Sequence, residues 1–270
     1  MKRLVANPSP ACDVQYWVEV VQEHRAHRLW RRHSDAVNLD WLRREMPPDR
    51  VPRLLKTDLF DEALDDGLVA WLATKAQMVV GIDLAPNTVQ AAQTRHGDFR
   101  GLAADVRHLP FADGNFDTVV SNSTLDHFRT SAELGDSLKE LSRVLRPGGE
   151  LFLTLDNPLN PIIALRNALP FRLVNWLGLV PYYVGATCSP RHLRDELEKA
   201  GLHVLQMGTL LHCPRVLAVK MAQMLERAPA MQQRFLRHLM GHEKLARWPT
   251  RFFTGNFITA RAIKTGEQNG

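Results

Sequence analysis

The chain has 270 residues, 45% hydrophobic and 23% charged, with a formal charge of +5, which is ordinary usage for a folded globular protein and excludes a disordered or fibrous one. That length supports one large domain, or a domain with an added lobe. Cys12, Cys188 and Cys213 are scattered without CxxC spacing, so neither a disulfide framework nor a zinc site is encoded, and a reducing cytoplasm is the expected location.

The opening "MKRLVANPSPACDVQYW" has an apolar run too short and too broken by proline for a signal peptide. Helical spacing follows, with Trp17, Val20 or Val21, His24, Leu29, Val37 and Leu42 near one face. This predicts two amphipathic helices, an N-terminal cap over residues 1–50. "PPDRVP" marks its boundary.

From there strand-like and helix-like segments alternate, the pattern of an α/β fold with a parallel sheet. "RLLKTDLF" reads as the first strand, "DEALDDGLVAWLATK" as a helix and "AQMVVGIDLA" as the second strand. Asp83 at that second tip occupies the position from which an acid bonds ribose hydroxyls in βαβ units, unless it merely caps the next helix. Asp105 closes a short third strand, and Phe116 to Ser121 form a fourth. Leu138, Leu141 and Leu145 recur at helical spacing before Pro147 and Gly148, and a fifth strand runs from Glu150 to Leu155.

Taken in order, "VVGIDLA", "GLAADVRHLPFADGNFDTVVSNSTLDHF" and "LKELSRVLRPGGELFLTL", with the "LLKTD" strand, resemble the class I S-adenosylmethionine-dependent methyltransferases of the type 11 family over residues 54–155. The resemblance implies a Rossmann-like seven-stranded sheet with helices on both faces and its last strand antiparallel, spanning residues 51–270. It also implies S-adenosyl-L-methionine as cofactor and a small-molecule acceptor. Carried over, Asp83 takes the ribose hydroxyls with Leu84 beside it, Asp105 and the amide of Val106 meet the adenine, and Ser121 and Asn122 lie against the methionyl part.

The family's acid and glycine-rich loop at the first strand are absent. "LLKTDLFDEALDDGL" has no glycine before Gly67, so Lys56, Thr57 and Asp58 stand where the cofactor is expected. Asp58, helped by Asp61 and Glu62, is expected to replace the missing acid, since charge-assisted contacts suit an ammonium or sulfonium. Lys56 is expected to pair either with the methionyl carboxylate or with Asp58. His127, with Asp126 beside it, is a candidate general base near the methyl position or a stacking residue, and His212 is a further candidate. No metal is expected.

"SPRHLRDELEKAG" reads as a helix capped by Ser189, and "LHVLQMGTLLH" and "GNFITARAIK" as the last strand pair. Two helical insertions follow from this, at about 157–188, with Trp176, Tyr182 and Tyr183, and at about 213–253. Between Pro214 and Thr254 the second carries eight Lys and Arg residues against two Glu. Long insertions of this kind usually form lids or binding elements. Together they suit an apolar or lipid-like acceptor, methylated at oxygen, and contact with a membrane surface. Nucleic acid is not expected, because no aromatic strip interleaves with the basic residues. Alternatives are a catalytically silent scaffold of the same fold and a nicotinamide-dependent oxidoreductase, the latter lacking its GxGxxG.

Overall fold

A computed structural model describes residues 14–23, 28–97, 99–170, 173, 185 and 187–266. His24, Trp176, Tyr182 and Tyr183 lie outside them, as do the side chains of Val20 and Val21. Two helices, α1 (Val14–Glu23) and α2 (Arg28–Glu45), lead into strand β1 (Val51–Lys56). The segment expected to be one helix is two: α3 (Phe60–Leu64) and α4 (Val69–Lys75), separated by Gly67 at φ +57°. A Cβ on Gly67 would lie 2.6 Å from the Glu62 carboxylate, so glycine serves there to let Glu62 fold back inside.

Beyond these come β2 (Ala76–Asp83), α5 (Pro86–Arg95), β3 (Arg100–Ala103), β4 (Phe116–Asn122), α6 (Ser131–Val144) and β5 (Leu145–Asp156). Leu145, expected in the helix, opens β5. Thr130 starts α6 through a capping box with Glu133, which satisfies two amide groups that a helix start otherwise leaves unpaired. The chain continues through α7 (Pro161–Ala168), α8 (Pro190–Lys199), β6 (Leu202–Leu210), α9 (Arg215–Leu225), α10 (Pro229–Gly241), α11 (Arg251–Thr254) and β7 (Phe257–Lys264). The Ser189 side chain caps α8 by accepting from the His192 amide.

The seven strands order as β3-β2-β1-β4-β5-β7-β6. β7 runs antiparallel between β5 and β6, and the pairs from β3 to β5 are parallel. Both faces are covered, so the strands read as apolar runs rather than alternations. Leu134, Leu138 and Leu141 of α6 pack with Leu193 and Leu197 of α8 on one face. The opposite face packs Val37, Trp41 and Leu42 of α2 against Leu54, Val120 and Phe152, so the N-terminal cap helix buries its apolar side in the sheet's own core. The strand order reverses between β1 and β4, and a crevice is expected at that point, outside the strands' carboxyl ends. No helix among the described residues is long and apolar enough to cross a membrane.

Candidate active site

A cavity of about 490 Å³ opens at the carboxyl ends of the strands, within the size range of sites for nucleoside-sized ligands. The glycine-free loop does not fill it. Leu59 is wholly buried and its Cδ2 would lie 2.7 Å from a Cβ on Gly81, the residue of β2 paired with Lys56. The close approach that glycine would allow in the loop occurs one strand away. The bulk of the loop points into the core, leaving Thr57, Asp58, Phe60 and Asp61 on the cavity wall.

Lys56 corrects one expectation. Its side chain is 2% exposed, and Nζ donates to Glu62 Oε2 at 2.9 Å and to the Asp58 carbonyl. The other Glu62 oxygen accepts from the Leu68 amide at 2.8 Å. Burial alone would lower the Lys56 pKa, but Glu62 and Asp58 outweigh it and raise it. Lys56 therefore does not reach the cavity, and its ion-pair partner is Glu62 rather than the Asp58 carboxylate.

One half of the cavity is acidic. Asp83 Oδ1 accepts from the Ala85 amide at 2.9 Å and Oδ2 from the Leu59 amide at 3.2 Å, so β2 holds the first loop in place. Asp58 Oδ1 accepts from the Phe60 amide at 3.0 Å. Burial, then repulsion by Asp58, pushes Asp83 up to about 7. Asp61 is also pushed up to about 7, by burial, Asp58 and Glu62, although Lys56 and Arg31 pull it back. Burial raises Asp58 as well. Asp61 and Asp83 are held near the edge of ionisation, and a cationic ligand favours the charged form of all three carboxylates. Arg31 of α2 faces the same cavity, its pKa lowered by burial.

Asp105, Val106 and Leu84 line this half too. The Asp105 carboxylate is held by Arg107, whose Nη2 lies 2.6 Å and Nε 3.0 Å away. Burial would raise Asp105, yet these bonds bring it below its ordinary value. Most of its accepting capacity is occupied.

At the centre, Thr57 Oγ1 lies 2.9 Å from both Ser121 Oγ and Thr124 Oγ1. Ser121 is fully buried and off the cavity wall, so it corrects a second expectation by supporting Thr57 instead. Asn122 does line the cavity. It donates to Asn38 Oδ1 at 2.9 Å, while its own buried Oδ1 has no hydrogen-bond partner. Leaving such an acceptor unmet costs on the order of 1–3 kcal/mol, which suits a ligand N–H or ammonium. Ser123 next to it has φ 47°, a left-handed turn held by its amide on Thr154 at 3.0 Å. Non-glycine residues in that region concentrate at functional sites.

His127 faces the cavity with its ring 4.7 Å from that of Trp17. Its Nε2 is 3.6 Å from Asp126 Oδ1, beyond hydrogen-bond distance. Asp126 is buried beneath the wall and pushed up to about 6, mainly by burial, so it stands behind His127 and does not meet a ligand directly. His212 is excluded from this site. It is buried, with ring nitrogens 3.2 Å from Thr209 Oγ1 and 2.8 Å from Thr254 Oγ1.

The other half belongs to the insertions. Ile162, Ile163 and Leu165 of α7 face Val216 and Val219 of α9. Arg166 and Arg215 project between them, 2.7 Å and 3.7 Å from the two oxygens of buried Asp156. The sequence reading did not single out these three. Asp156 ends β5 as Asp83 ends β2, and that signal was available.

Residues 65–153 match the Methyltransf_11 family, "Methyltransferase domain"; the match starts beyond β1 and the departed loop. "Probable tRNA methyltransferase 9B" of Homo sapiens is 28% identical over 145 residues, 48% of this chain and 30% of that protein. The demethylmenaquinone methyltransferase of Thermus thermophilus is 35% identical over 129 residues, 46% of this chain and 57% of that protein. The chain thus spans about a third to just over half of these curated relatives. Among solved structures, a chain from the complex of the Haloferax volcanii Trm112 methyltransferase activator with a methyltransferase superposes with TM-score 0.61 at 18% identity, covering 97% of this chain and 100% of that one. Geranyl diphosphate C-methyltransferase from Streptomyces coelicolor A3(2) superposes with TM-score 0.56 at 14% identity, covering 85% and 77%. These structures share the fold.

Proposed function

We propose, for a chain that carries a type 11 methyltransferase domain on a class I sheet, S-adenosyl-L-methionine-dependent methyl transfer to a small-molecule acceptor, apolar or lipid-like, at oxygen. The observation that carries it is the group of carboxylates, Asp58, Asp61 and Asp83, gathered on one wall of the cavity, because clustered carboxylates favour a cationic ligand between them. S-adenosylmethionine supplies a methyl group already activated on a sulfonium, so the protein's part is chiefly placement. Asp83 binds the ribose hydroxyls, and Val106 and the remaining lone pair of Asp105 meet the adenine. Asp58 and the unmet Asn122 Oδ1 take the α-ammonium. His127 removes the acceptor's proton, and Asp126 favours the resulting imidazolium.

The named substrates of the relatives, tRNA and a demethylmenaquinone among them, differ too much for the match to select an acceptor. The apolar insertion walls support a greasy one. On the outer side of α9, Leu217, Met221 and Met224 are 57%, 40% and 79% exposed, next to the excess of basic residues in the same insertion. That pairing supports a cytoplasmic protein resting on an anionic lipid surface.

The test is calorimetry with S-adenosylhomocysteine on the intact protein and on Asp83→Ala. Micromolar binding that collapses in the variant supports the reading, and no binding to either protein returns the chain to the silent-scaffold alternative. Mass spectrometry for a product heavier by one methyl group, with lipid and polar extract fractions kept apart, then identifies the acceptor.

A further inference from the structure

We infer that the acceptor is an amphiphile: an apolar body carrying one oxyanion, a carboxylate or a phosphate, which docks on Arg166, Arg215 and Lys220. The inference rests on the methyl-transfer reading of the cavity and names the acceptor's chemical class.

Strand order separates the cavity's charges. Asp58, Asp83 and Asp105 follow β1, β2 and β3 on one side, whereas Arg166 and Arg215 attach to β5 and the approach to β7 on the other. Beneath that second half Asp156 is 1% exposed and serves two guanidinium groups. Arg166 bonds Oδ2 at 2.7 Å, while Oδ1 accepts no hydrogen bond and sits 3.7 Å from Arg215 Nη1. The other nearby carboxylate, Asp126, is buried and partly neutral near pH 6. Lys220 lines the same half and forms no ion pair among the described residues. Among the described residues, cations therefore outnumber carboxylates there.

The cations are also held in place. The Arg215 guanidinium lies 5.4 Å from the centre of the Phe257 ring, and Arg166 is braced by Asn167 Oδ1 at 3.0 Å as well as by Asp156. A fixed guanidinium fork with a partly used carboxylate behind it suits an incoming oxyanion, which planar guanidinium groups bind in bidentate fashion. Apolar side chains from α7 and α9 surround these charges. A purely apolar acceptor would bring no anion to the two guanidinium groups that share Asp156 or to Lys220, and a small polar anion would leave the apolar walls wet.

The test titrates decanoate, decyl phosphate and decanol into the full-length protein saturated with S-adenosylhomocysteine, using calorimetry. Decanoate or decyl phosphate should bind at least tenfold more tightly than decanol, and whichever binds tighter identifies the head group. Arg215→Gln, which leaves Asp156 paired with Arg166, should lower that ratio several-fold while decanol binding and S-adenosylhomocysteine binding stay unchanged. Lys220→Gln, at an exposed position where folding is not at risk, should lower the ratio by a smaller factor. Equal binding of all three probes, or a ratio untouched in Arg215→Gln, overturns the inference. Loss of S-adenosylhomocysteine binding in the unmodified protein would instead overturn the methyl-transfer reading, and the probe ratio measured without that ligand would still decide whether the oxyanion site exists.

Discussion

The two halves of the cavity are built from different kinds of chain. The acidic half sits on the tips of β1, β2 and β3, whose positions are locked by parallel pairing such as Lys56 with Gly81 and Asp83 with Ala103. The basic, apolar half sits on α7 and α9, helices inserted after β5 and β6. Strand tips move little when side chains change, so that half suits a ligand of constant shape. Inserted helices can be re-sequenced without disturbing the ladder, so the other half suits a ligand that differs from one protein to the next.

The comparison predicts that damage to the acidic half spreads into the fold, whereas damage to the basic half stays local. The largest effect should come from Lys56→Met. It leaves Glu62 buried and charged without its partner, a change that costs about 3–5 kcal/mol, and chemical denaturation should show the midpoint falling accordingly. Asp83→Ala removes both the carboxylate proposed to bind the ribose and the acceptor for the Leu59 and Ala85 amides. S-adenosylhomocysteine affinity should drop by about 100-fold, the scale of one charged hydrogen-bonding group, and calorimetry reads it directly. Gly81→Ala forces a methyl onto Leu59 and Phe99 and should cost about 1–3 kcal/mol by overpacking, visible as a lowered melting temperature.

Acidity gives a smaller, graded effect. Asp61 and Asp83 hold protons more tightly folded, at about 7, than their ordinary 3.8. The folded state therefore binds more protons between those values, and the stability of the ligand-free protein should fall as pH rises through that window. A cationic ligand reverses the preference. Its affinity should climb several-fold between about pH 6 and pH 8 with proton release on binding, which calorimetry in buffers of different ionisation enthalpy measures. The smallest effect belongs to the other half. Leu165 is 63% exposed, so Leu165→Gln should shift stability by less than about 0.5 kcal/mol. It should weaken decanoate several-fold and leave S-adenosylhomocysteine untouched.

Much of the acidic half was legible in the sequence because local pattern dictates it: an apolar run ending in an acid places Asp83 at a strand tip, and the ordered motifs to residue 155 cover the strands from β1 to β5. Asp58 and Asp61 were readable from the first strand and its loop, whereas Asn122 and the site position of His127 came from the resemblance to the family. The inward turn of Lys56 was not, since it depends on Glu62 folding back over Gly67, a contact that helical periodicity across 61–75 conceals. Ser121, placed against the methionyl part by the resemblance alone, lies off the cavity wall because successive residues of β4 point to opposite faces and Asn122 is the one that meets the cavity. Arg166, Asp156 and Arg215 meet from separate segments, and no spacing rule joins residues so far apart.

Leu59 resting in the hollow over Gly81 ties two distant positions into one heritable unit. In a lineage drifting away from this sequence, a larger residue at 81 becomes admissible only after 59 has shrunk and the Phe99 ring has given way, because these effects do not add. The order in which the changes can accumulate is thereby set, and descendants that carry a side chain at 81 should carry a smaller 59 and an altered 99.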